Sequence, residues 1–252
     1  MSSVSPGLLP LDRSSVVSLQ ERTVRIADDI LASLPSPEQL SAGERRGIIA
    51  RYSAVLEGNF IYWMTGAYLS VGSEEARSII LDNLLEEVRD CHPGMLRRFA
   101  MAAEAVPTDS DALAVYQELL NVRLFVGRLP RVAVVVMMAF FEGFIQRFMP
   151  YLAELAQRQG SVEKEYTDVH GVCDIAHTQE LFRALEAEMA LARDSYEPTE
   201  NLFEGVGLLG ALIQTITAVG SRVPAGMTDE ELATSGELNV SKSSRDFAHS
   251  AD

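Results

Sequence analysis

Apolar side chains recur along most of the chain at the three- and four-residue spacing of an α-helix, and prolines and glycines interrupt this pattern at intervals. No segment alternates apolar and polar positions as a half-buried strand would. The connections between the periodic segments are short, which favours one compact bundle. The pattern predicts an all-α fold with helices near residues 14–34, 43–70, 74–91, 94–106, 110–125, 130–159, 163–195 and 198–220.

The two ends of the chain lack this periodicity. Residues 1–13 contain two prolines and a glycine and are predicted to be irregular, without the basic and apolar regions of a signal peptide. Residues 14–222 are predicted to form a single helical domain. Residues 223–252 are polar and weakly patterned, which predicts a disordered tail.

Composition and charge narrow the classes of function. The formal net charge of −15 argues against nucleic acid and against anionic membranes as partners. The longest apolar run, Val132–Ile145, contains Glu142 and is shorter than the roughly 20 residues that span a bilayer. The two cysteines, Cys91 and Cys173, provide no disulfide framework, which fits a reducing compartment. We therefore expect a cytoplasmic protein with no membrane and no nucleic-acid partner.

The segment HGVCDIAH carries the first candidate chemistry. On a helix, His170, Asp174 and His177 fall within about 60° of arc. Tyr166 and Leu181 extend the same stripe, so this face is expected to point inward. Burying three ionisable groups there is costly without a metal or polar partners, and these ligand types suit non-haem iron or manganese. A hydrogen-bonded core histidine and a solvated polar patch are the competing interpretations of this segment.

Two isolated glutamates supply further candidate ligands. Glu142 is the sole ionisable residue between Arg131 and Arg147, and Glu57 interrupts another apolar stripe. A buried glutamate without a partner would protonate or destabilise the fold. A metal ligand is one interpretation. The alternative is a glutamate that hydrogen-bonds another helix or reaches solvent.

A third acid precedes the remaining histidine. Either Glu86 or Glu87 can face inward, but neither shares a helix face with His92, so a bend at His92 and Pro93 is required. A bundle that projects Glu and His inward from several helices is a known way to hold two iron or manganese ions. A zinc site with Cys91 and Cys173 is the weaker alternative, because the spacings match no standard zinc pattern.

Taken in order, these segments resemble the haem-oxygenase-like dimetal oxidases. The family pattern is a lone Glu, an N-L-x-x-E segment with a following His, a second lone Glu, and an H-x3-D-x2-H helix. The matching residues here are Glu57; Asn83 and Leu84 with Glu87 and His92; Glu142; and His170, Asp174 and His177. This chain departs from the family pattern in two ways: Arg89 stands where the family commonly has Gly, and His92 comes early. It therefore stays open whether Glu86 or Glu87 is the ligand.

The resemblance implies a bundle of about seven to eight helices like haem oxygenase, but without haem. It also implies two ferrous ions, with manganese as the alternative metal, and dioxygen as co-substrate. The implied ligands are Glu57, Glu87, His92, Glu142, His170, Asp174 and His177. Glu142 and His177 are predicted to matter most for catalysis, since Glu142 would bridge the metals and His177 would complete one of them.

What the resemblance implies about function is an oxidase of a small amino acid or amine-bearing substrate in specialised metabolism. The candidate reactions are N-oxygenation, oxidative C–C cleavage and nitrile formation. Arg51, Arg89 and Arg123 are candidates for binding a substrate carboxylate.

Three competing functions stand beside this hypothesis. Members of the family also include fatty-acid decarboxylases, for which Met137–Met149 would line a tunnel. The second is a non-catalytic helical interaction protein with a vestigial site, in which the candidate ligands would face different directions. The third is a thiaminase-like hydrolase, which would need a nucleophilic cysteine near an acid. A homodimer is a candidate assembly under each of these functions.

Overall fold

The computed structural model describes residues 13–192 and 201–220. Within these ranges the chain forms eight helices and no strand, so the predicted all-α fold is confirmed. The helices are α1 (Arg13–Ala32), α2 (Ala42–Ser70), α3 (Glu74–Arg89), α4 (His92–Ala102), α5 (Asp109–Gly127), α6 (Arg131–Arg158), α7 (Glu165–Ala192) and α8 (Glu204–Thr217). The predicted polar tail and residues 1–12 of the predicted irregular segment lie outside the described residues.

Local side-chain chemistry determines where several helices begin. Ser41 and Thr108 each accept a hydrogen bond from a backbone amide three residues ahead, and Glu44 and Asp111 bond back to complete the capping boxes. Ser73 caps α3 in the simpler way. These contacts satisfy amides that have no partner inside the helix, so the start of each helix is encoded locally.

Helix α6 lies at the centre of the bundle. It packs most extensively against α7, and it also contacts α1, α2 and α8. Among the described residues it is the one helix long and apolar enough to cross a membrane by length and composition, but 83% of its most apolar window is buried inside the protein. The apolar character of α6 is therefore that of a core helix, as is common in soluble proteins.

Two backbone irregularities shape the part of the bundle that carries the candidate ligands. Helix α2 departs from helical geometry at Glu57 and Gly58, which divides it into two segments. Helices α3 and α4 are separated at Cys91, whose backbone is left-handed (φ 57°). The bend predicted at His92 and Pro93 thus occurs one residue earlier. His92 begins α4, and Pro93 lies in its first turn, where a missing amide hydrogen costs nothing.

A buried ion pair joins α7 to two other helices. Glu188 is fully buried and accepts hydrogen bonds from the backbone amides of Gly72 and Ser73, just before α3. Arg131, at the start of α6, donates to the same carboxylate at 2.8 Å and lies 2.6 Å from it in a second contact. Each oxygen of this acid therefore has partners, and the three helix ends are held together.

Candidate metal centre

Four helices bring six of the seven predicted ligands into one buried region of the described structure. These residues are at most 6% exposed: Glu87 from α3, His92 from α4, Glu142 from α6, and His170, Asp174 and His177 from α7. Two groups of potential metal ligands are formed, one by Glu87, His92 and His170 and the other by Cys173, Asp174 and His177. Within each group the ligand atoms lie within 4.8 Å of one another.

The first group is organised around two histidine rings. The Oε1 atom of Glu87 lies 2.6 Å from Nδ1 of His92, and the rings of His92 and His170 are 4.6 Å apart between centroids. Nδ1 of His170 lies 2.8 Å from the backbone carbonyl of Tyr166, one turn earlier in α7, and therefore donates its hydrogen there. This bond leaves Nε2 of His170 with a free lone pair, which is the arrangement of a metal-binding histidine.

The second group is centred on His177. Its Nδ1 atom lies 3.8 Å from Oε1 of Glu142 and 3.8 Å from Oδ1 of Asp174. On the other side of the ring, Nε2 lies 3.5 Å from Oε2 of the partly exposed Glu86. The thiol of Cys173 donates to Oδ1 of Asp174 at 3.1 Å. Three carboxylates thus surround one imidazole.

Three atoms of this region are buried without a hydrogen-bond partner among the described residues. They are Oε1 of Glu142, Oδ2 of Asp174 and Nδ1 of His177. Such orphaned polar atoms are rare in folded proteins because losing water without a replacement partner is costly. Oε1 of Glu142 and Nδ1 of His177 lie 3.8 Å apart, and each of the three atoms is a lone-pair donor or becomes one in the right tautomer. The residues present therefore fit bound cations.

The electrostatics of the site agree with this geometry. Burial, together with repulsion from Asp174 and Glu87, raises the pKa of Glu142 well above its usual range. Burial is also the main reason that the pKa of Asp174 is raised to about 8. Burial lowers the pKa of His170 to about 4, so its imidazole is neutral at physiological pH. Bound cations would offset the repulsion between the carboxylates, and the neutral imidazole of His170 can bind a cation without first losing a proton.

The acids near His92 divide between the two groups. Glu87 is buried and belongs to the first group, as the resemblance implied. Glu86 is more exposed and approaches His177 of the second group instead. The backbone reversal at Cys91 explains this division, because it returns His92 to the face of α3 that carries Glu87. Both acids therefore border the site, from neighbouring positions on one helix.

Glu57 is the predicted ligand that the structure places elsewhere. Its carboxylate forms an ion pair with Arg97 of α4 and does not border the cavity beside the remaining ligands. The physical reasons are the interruption of α2 at this residue and the presence of a guanidinium within reach. Its neighbour Leu56 does line that cavity. The assignment of Glu57 as a ligand stays a prediction.

The three arginines considered for a substrate carboxylate form contacts away from the ligands. Arg51 donates to the backbone carbonyls of Ile216 and Ala218 at the end of α8. Arg89 pairs with its neighbour Asp90, and Arg123 lies over the ring of Tyr62. None of the three lines the cavity beside the ligands. Their role in binding substrate stays a prediction without support from position.

A small cavity of about 30 Å³ adjoins the ligands. One side consists of Glu87, His92, Glu142, His170 and Asp174, and the remainder is formed by apolar side chains and Tyr166. The cavity has room for about two water molecules. The candidate ligands on one wall of the cavity therefore adjoin a small space whose other walls are mainly apolar.

Comparison with known families identifies the class of protein. A family model described as an iron-containing redox enzyme matches residues 50–205, which is more than half of the chain. The chain belongs to this family of iron-containing redox enzymes. Membership confirms the predicted resemblance, and the matched range includes the two ligand groups and Glu57. No curated protein and no solved structure matches the chain significantly.

Several contacts in this iron-containing redox enzyme do not follow from the sequence pattern. Cys173 is recognisable as a neighbour of the ligands, but its thiol contacts Asp174 directly. Tyr52 of α2 meets Tyr166 in a buried hydrogen bond of 2.7 Å between hydroxyls, next to the ring of His170. Tyr166 follows from the helical spacing of the HGVCDIAH segment. No sequence signal pairs it with Tyr52, because that contact joins helices distant in the chain.

Proposed function

We propose that this protein is a dioxygen-dependent non-haem diiron oxidase. The observation that carries the proposal is the pair of buried ligand groups, together with the unpartnered buried atoms of Glu142, Asp174 and His177. Membership of an iron-containing redox family supports iron as the metal. Two adjacent groups of potential ligands support two ions. Manganese is the alternative metal for the same ligand types.

The positions of the buried side chains support one assignment of ligands to the two ions. Glu87, His92 and His170 would hold one ion, and Asp174 and His177 would hold the second. Glu142 would contribute to both sites, since its Oε1 atom lies 3.8 Å from Nδ1 of His177 and the charges of Asp174 and Glu87 both raise its pKa. The bound iron pair would supply dioxygen binding and the electrons that reduce it.

The chain's own residues prepare this chemistry in three ways. The carbonyl of Tyr166 fixes the tautomer of His170, which keeps Nε2 available. The apolar walls on α2 and α6 exclude water from the reacting groups, which strengthens electrostatic interactions there. Burial raises the pKa of both Glu142 and Asp174 in the metal-free protein, so cation binding, which needs deprotonated acids, would be coupled to proton release.

The substrate proposed is a small amino acid or amine derivative that bears a carboxylate. The candidate reactions are N-oxygenation, oxidative C–C cleavage and nitrile formation. The small cavity supports a small substrate rather than a large one. Fatty-acid decarboxylation on the same scaffold is the competing proposal, and the apolar lining of the cavity is the observation in its favour.

The test is rapid mixing of anaerobically iron-loaded protein with dioxygen in the presence of a panel of amino acids, alkylamines and fatty acids. We expect an absorbance transient whose formation depends on one class of compound, together with dioxygen consumption and a new product. Amino-acid dependence supports the main proposal, whereas fatty-acid dependence supports the competing one. Both proposals would be contradicted if the iron-loaded protein consumed no dioxygen with any compound of the panel, even when a reductant was added.

A further inference from the structure

A second apolar cavity lies next to the cavity that adjoins the candidate ligands. It has a volume of about 10 Å³ and extends from α2 and α6 to the inner face of α8. Leu56, Phe141 and Ile145 line both cavities. These three side chains therefore form a wall between the two spaces, and none of the candidate ligands lines the second space.

The walls of both cavities have a consistent chemical character. Apart from the candidate ligands, the first cavity is lined by apolar side chains and Tyr166, and the second by apolar side chains with Tyr52 and Thr217. No lysine or arginine lines either space among the described residues. Burial of an apolar group there is favourable, whereas burial of a charged group away from the ligands would be costly.

We propose that the substrate carries a short apolar group that occupies the first cavity, and that Leu56, Phe141 and Ile145 set the length accepted. The proposal rests on the proposed function, because it places the group beside the candidate iron ligands. The small volume of the first cavity limits the group to a few carbons. A smaller side chain in the wall joins the two cavities and admits a longer group.

Ile145 is the best residue for the test. It belongs to the central helix α6, is 4% exposed and lies one turn after Glu142 without being a candidate ligand. Ile145→Ala opens the wall, and Ile145→Phe narrows the space. Leu152→Ala is the matched control, because Leu152 is fully buried in the same helix and lines neither cavity.

The first measurement uses metal-free protein and straight-chain 1-alkanols of increasing length, with binding followed by calorimetry. Each added methylene should raise affinity about fourfold until the chain meets the wall, after which affinity stops rising. We call the alcohol length at which affinity stops rising the break. In Ile145→Ala the break should move to an alcohol at least one carbon longer, and in Ile145→Phe it should move to a shorter alcohol. Leu152→Ala should keep the break of the original protein.

Ile145→Val removes a single methyl group and provides a milder variant if Ile145→Ala fails to fold. It should move the break in the same direction by a smaller amount. Affinities that do not depend on chain length would overturn the proposal. So would a break at the same length in every Ile145 variant and in Leu152→Ala.

The second measurement locates the bound alcohol. Protein loaded with Mn(II), with the metal content determined on the same sample, should broaden the proton resonances of the bound alkanol by paramagnetic relaxation. Mn(II) that is bound but leaves these resonances sharp would overturn the proposal. Protein that takes up no metal contradicts the proposed function instead, and the metal-free series then still decides whether the wall sets the length.

Discussion

Helix α7 buries two acids that differ in their surroundings. Asp174 is 1% exposed and Glu188 is fully buried. The oxygens of Glu188 accept hydrogen bonds from two backbone amides and from Arg131. By contrast, Oδ2 of Asp174 has no hydrogen-bond partner among the described residues, and the same holds for Oε1 of Glu142 opposite it.

The difference shows how to separate a structural acid from a candidate ligand in this protein. Burial is common to both acids and therefore does not distinguish them. Glu188 is neutralised and satisfied by the chain itself, so it needs nothing further. Asp174 and Glu142 each keep one buried oxygen without a hydrogen-bond partner, and burial raises the pKa of both acids, so the chain leaves an environment that the proposed cations would complete.

The largest effect is expected from Glu142→Gln, which keeps the shape of the side chain and removes its charge. The variant should lose bound iron and, with it, dioxygen consumption, because the acid between the two groups is gone. The metal-free variant should unfold at no lower denaturant concentration than the original, since an acid repelled by Asp174 and Glu87 has been removed. Metal analysis after anaerobic iron loading and urea unfolding provide the two readouts.

Glu180→Gln is the control for that experiment. Glu180 lies on the same helix as Asp174, three residues after His177, but belongs to neither ligand group. Iron content and activity should stay close to those of the original protein. If Glu142→Gln retained full iron content while Glu180→Gln lost it, the distinction drawn between the two kinds of acid would be wrong.

The second effect concerns the stability of the fold rather than metal binding. Glu188→Ala should lower the free energy of unfolding by about 3–5 kcal/mol, because removal of one member of a buried pair leaves Arg131 without this partner and two amides without their acceptor. Glu165→Ala, on the same helix as Glu188, breaks an exposed ion pair with Arg98 of α4 and should lower the free energy of unfolding far less. Guanidinium unfolding of the metal-free proteins measures both.

The iron content of folded Glu188→Ala should remain that of the original protein. This outcome would show that the satisfied acid contributes to the fold alone. A loss of iron at a temperature where the variant remains folded without denaturant would contradict the comparison, because Glu188 would then influence the ligands.

The third effect is a dependence of metal-free stability on pH. The pKa of Asp174 is raised from 3.8 to about 8, so the folded state binds a proton that the unfolded state has released, and stability falls as pH rises through this window. The pKa of His170, lowered from 6.5 to about 4, acts in the opposite direction below pH 6.5. The free energy of unfolding should therefore fall between pH 6.5 and about 8.

The raised pKa of His92 adds to this decline, since burial is outweighed there by the hydrogen bond and charge of Glu87. Asp174→Asn should flatten the slope of the free energy of unfolding against pH. In iron-loaded protein the slope should be reversed, because metal binding requires the deprotonated acid. Urea unfolding at several pH values gives the slope directly. A metal-free protein that becomes steadily more stable from pH 6.5 to 8 would show that Asp174 is not buried as described.

The smallest effect is expected at Glu57 and Arg97. Their ion pair is 28% and 66% exposed, so either single change should alter the free energy of unfolding by at most about 1 kcal/mol. We expect Arg97→Gln to raise the affinity for iron and Glu57→Gln to lower it, because Glu57 must leave Arg97 before it can reach a metal. Equal iron affinities in both variants and the original protein would show that Glu57 is a purely structural acid.

Much of the fold follows from the chain because its helices are determined locally. Apolar periodicity, proline positions and caps such as Ser41 and Ser73 act over a few residues, and the predicted helix boundaries lie close to the observed ones for this reason. The bend before α4 lies one residue earlier than the sequence predicts. Pro93 does mark an interruption between helices, but its place in the first turn of α4 moves the irregular residue to Cys91.

The candidate site is predictable to the extent that its residues share one helix or stand out in composition. The spacing of His170, Asp174 and His177 places them on one face of α7, and the isolation of Glu142 in an apolar helix signals burial. The pairing of Glu57 with Arg97 is not predictable, because it depends on how two helices pack. The same limit applies to Glu188, whose sequence neighbours give no sign of its distant partners.

The most direct test of the central claim is anaerobic titration of the metal-free protein with Fe(II), followed by Mössbauer spectroscopy after exposure to dioxygen. The account predicts about two iron ions per chain at saturation and, after oxidation, the spectrum of two coupled ferric ions. Both signals should disappear in Glu142→Gln and persist in Glu180→Gln. One iron ion per chain with the spectrum of an isolated ferric ion, unchanged by loss of Glu142, would contradict the proposal of a diiron centre between α3, α4, α6 and α7.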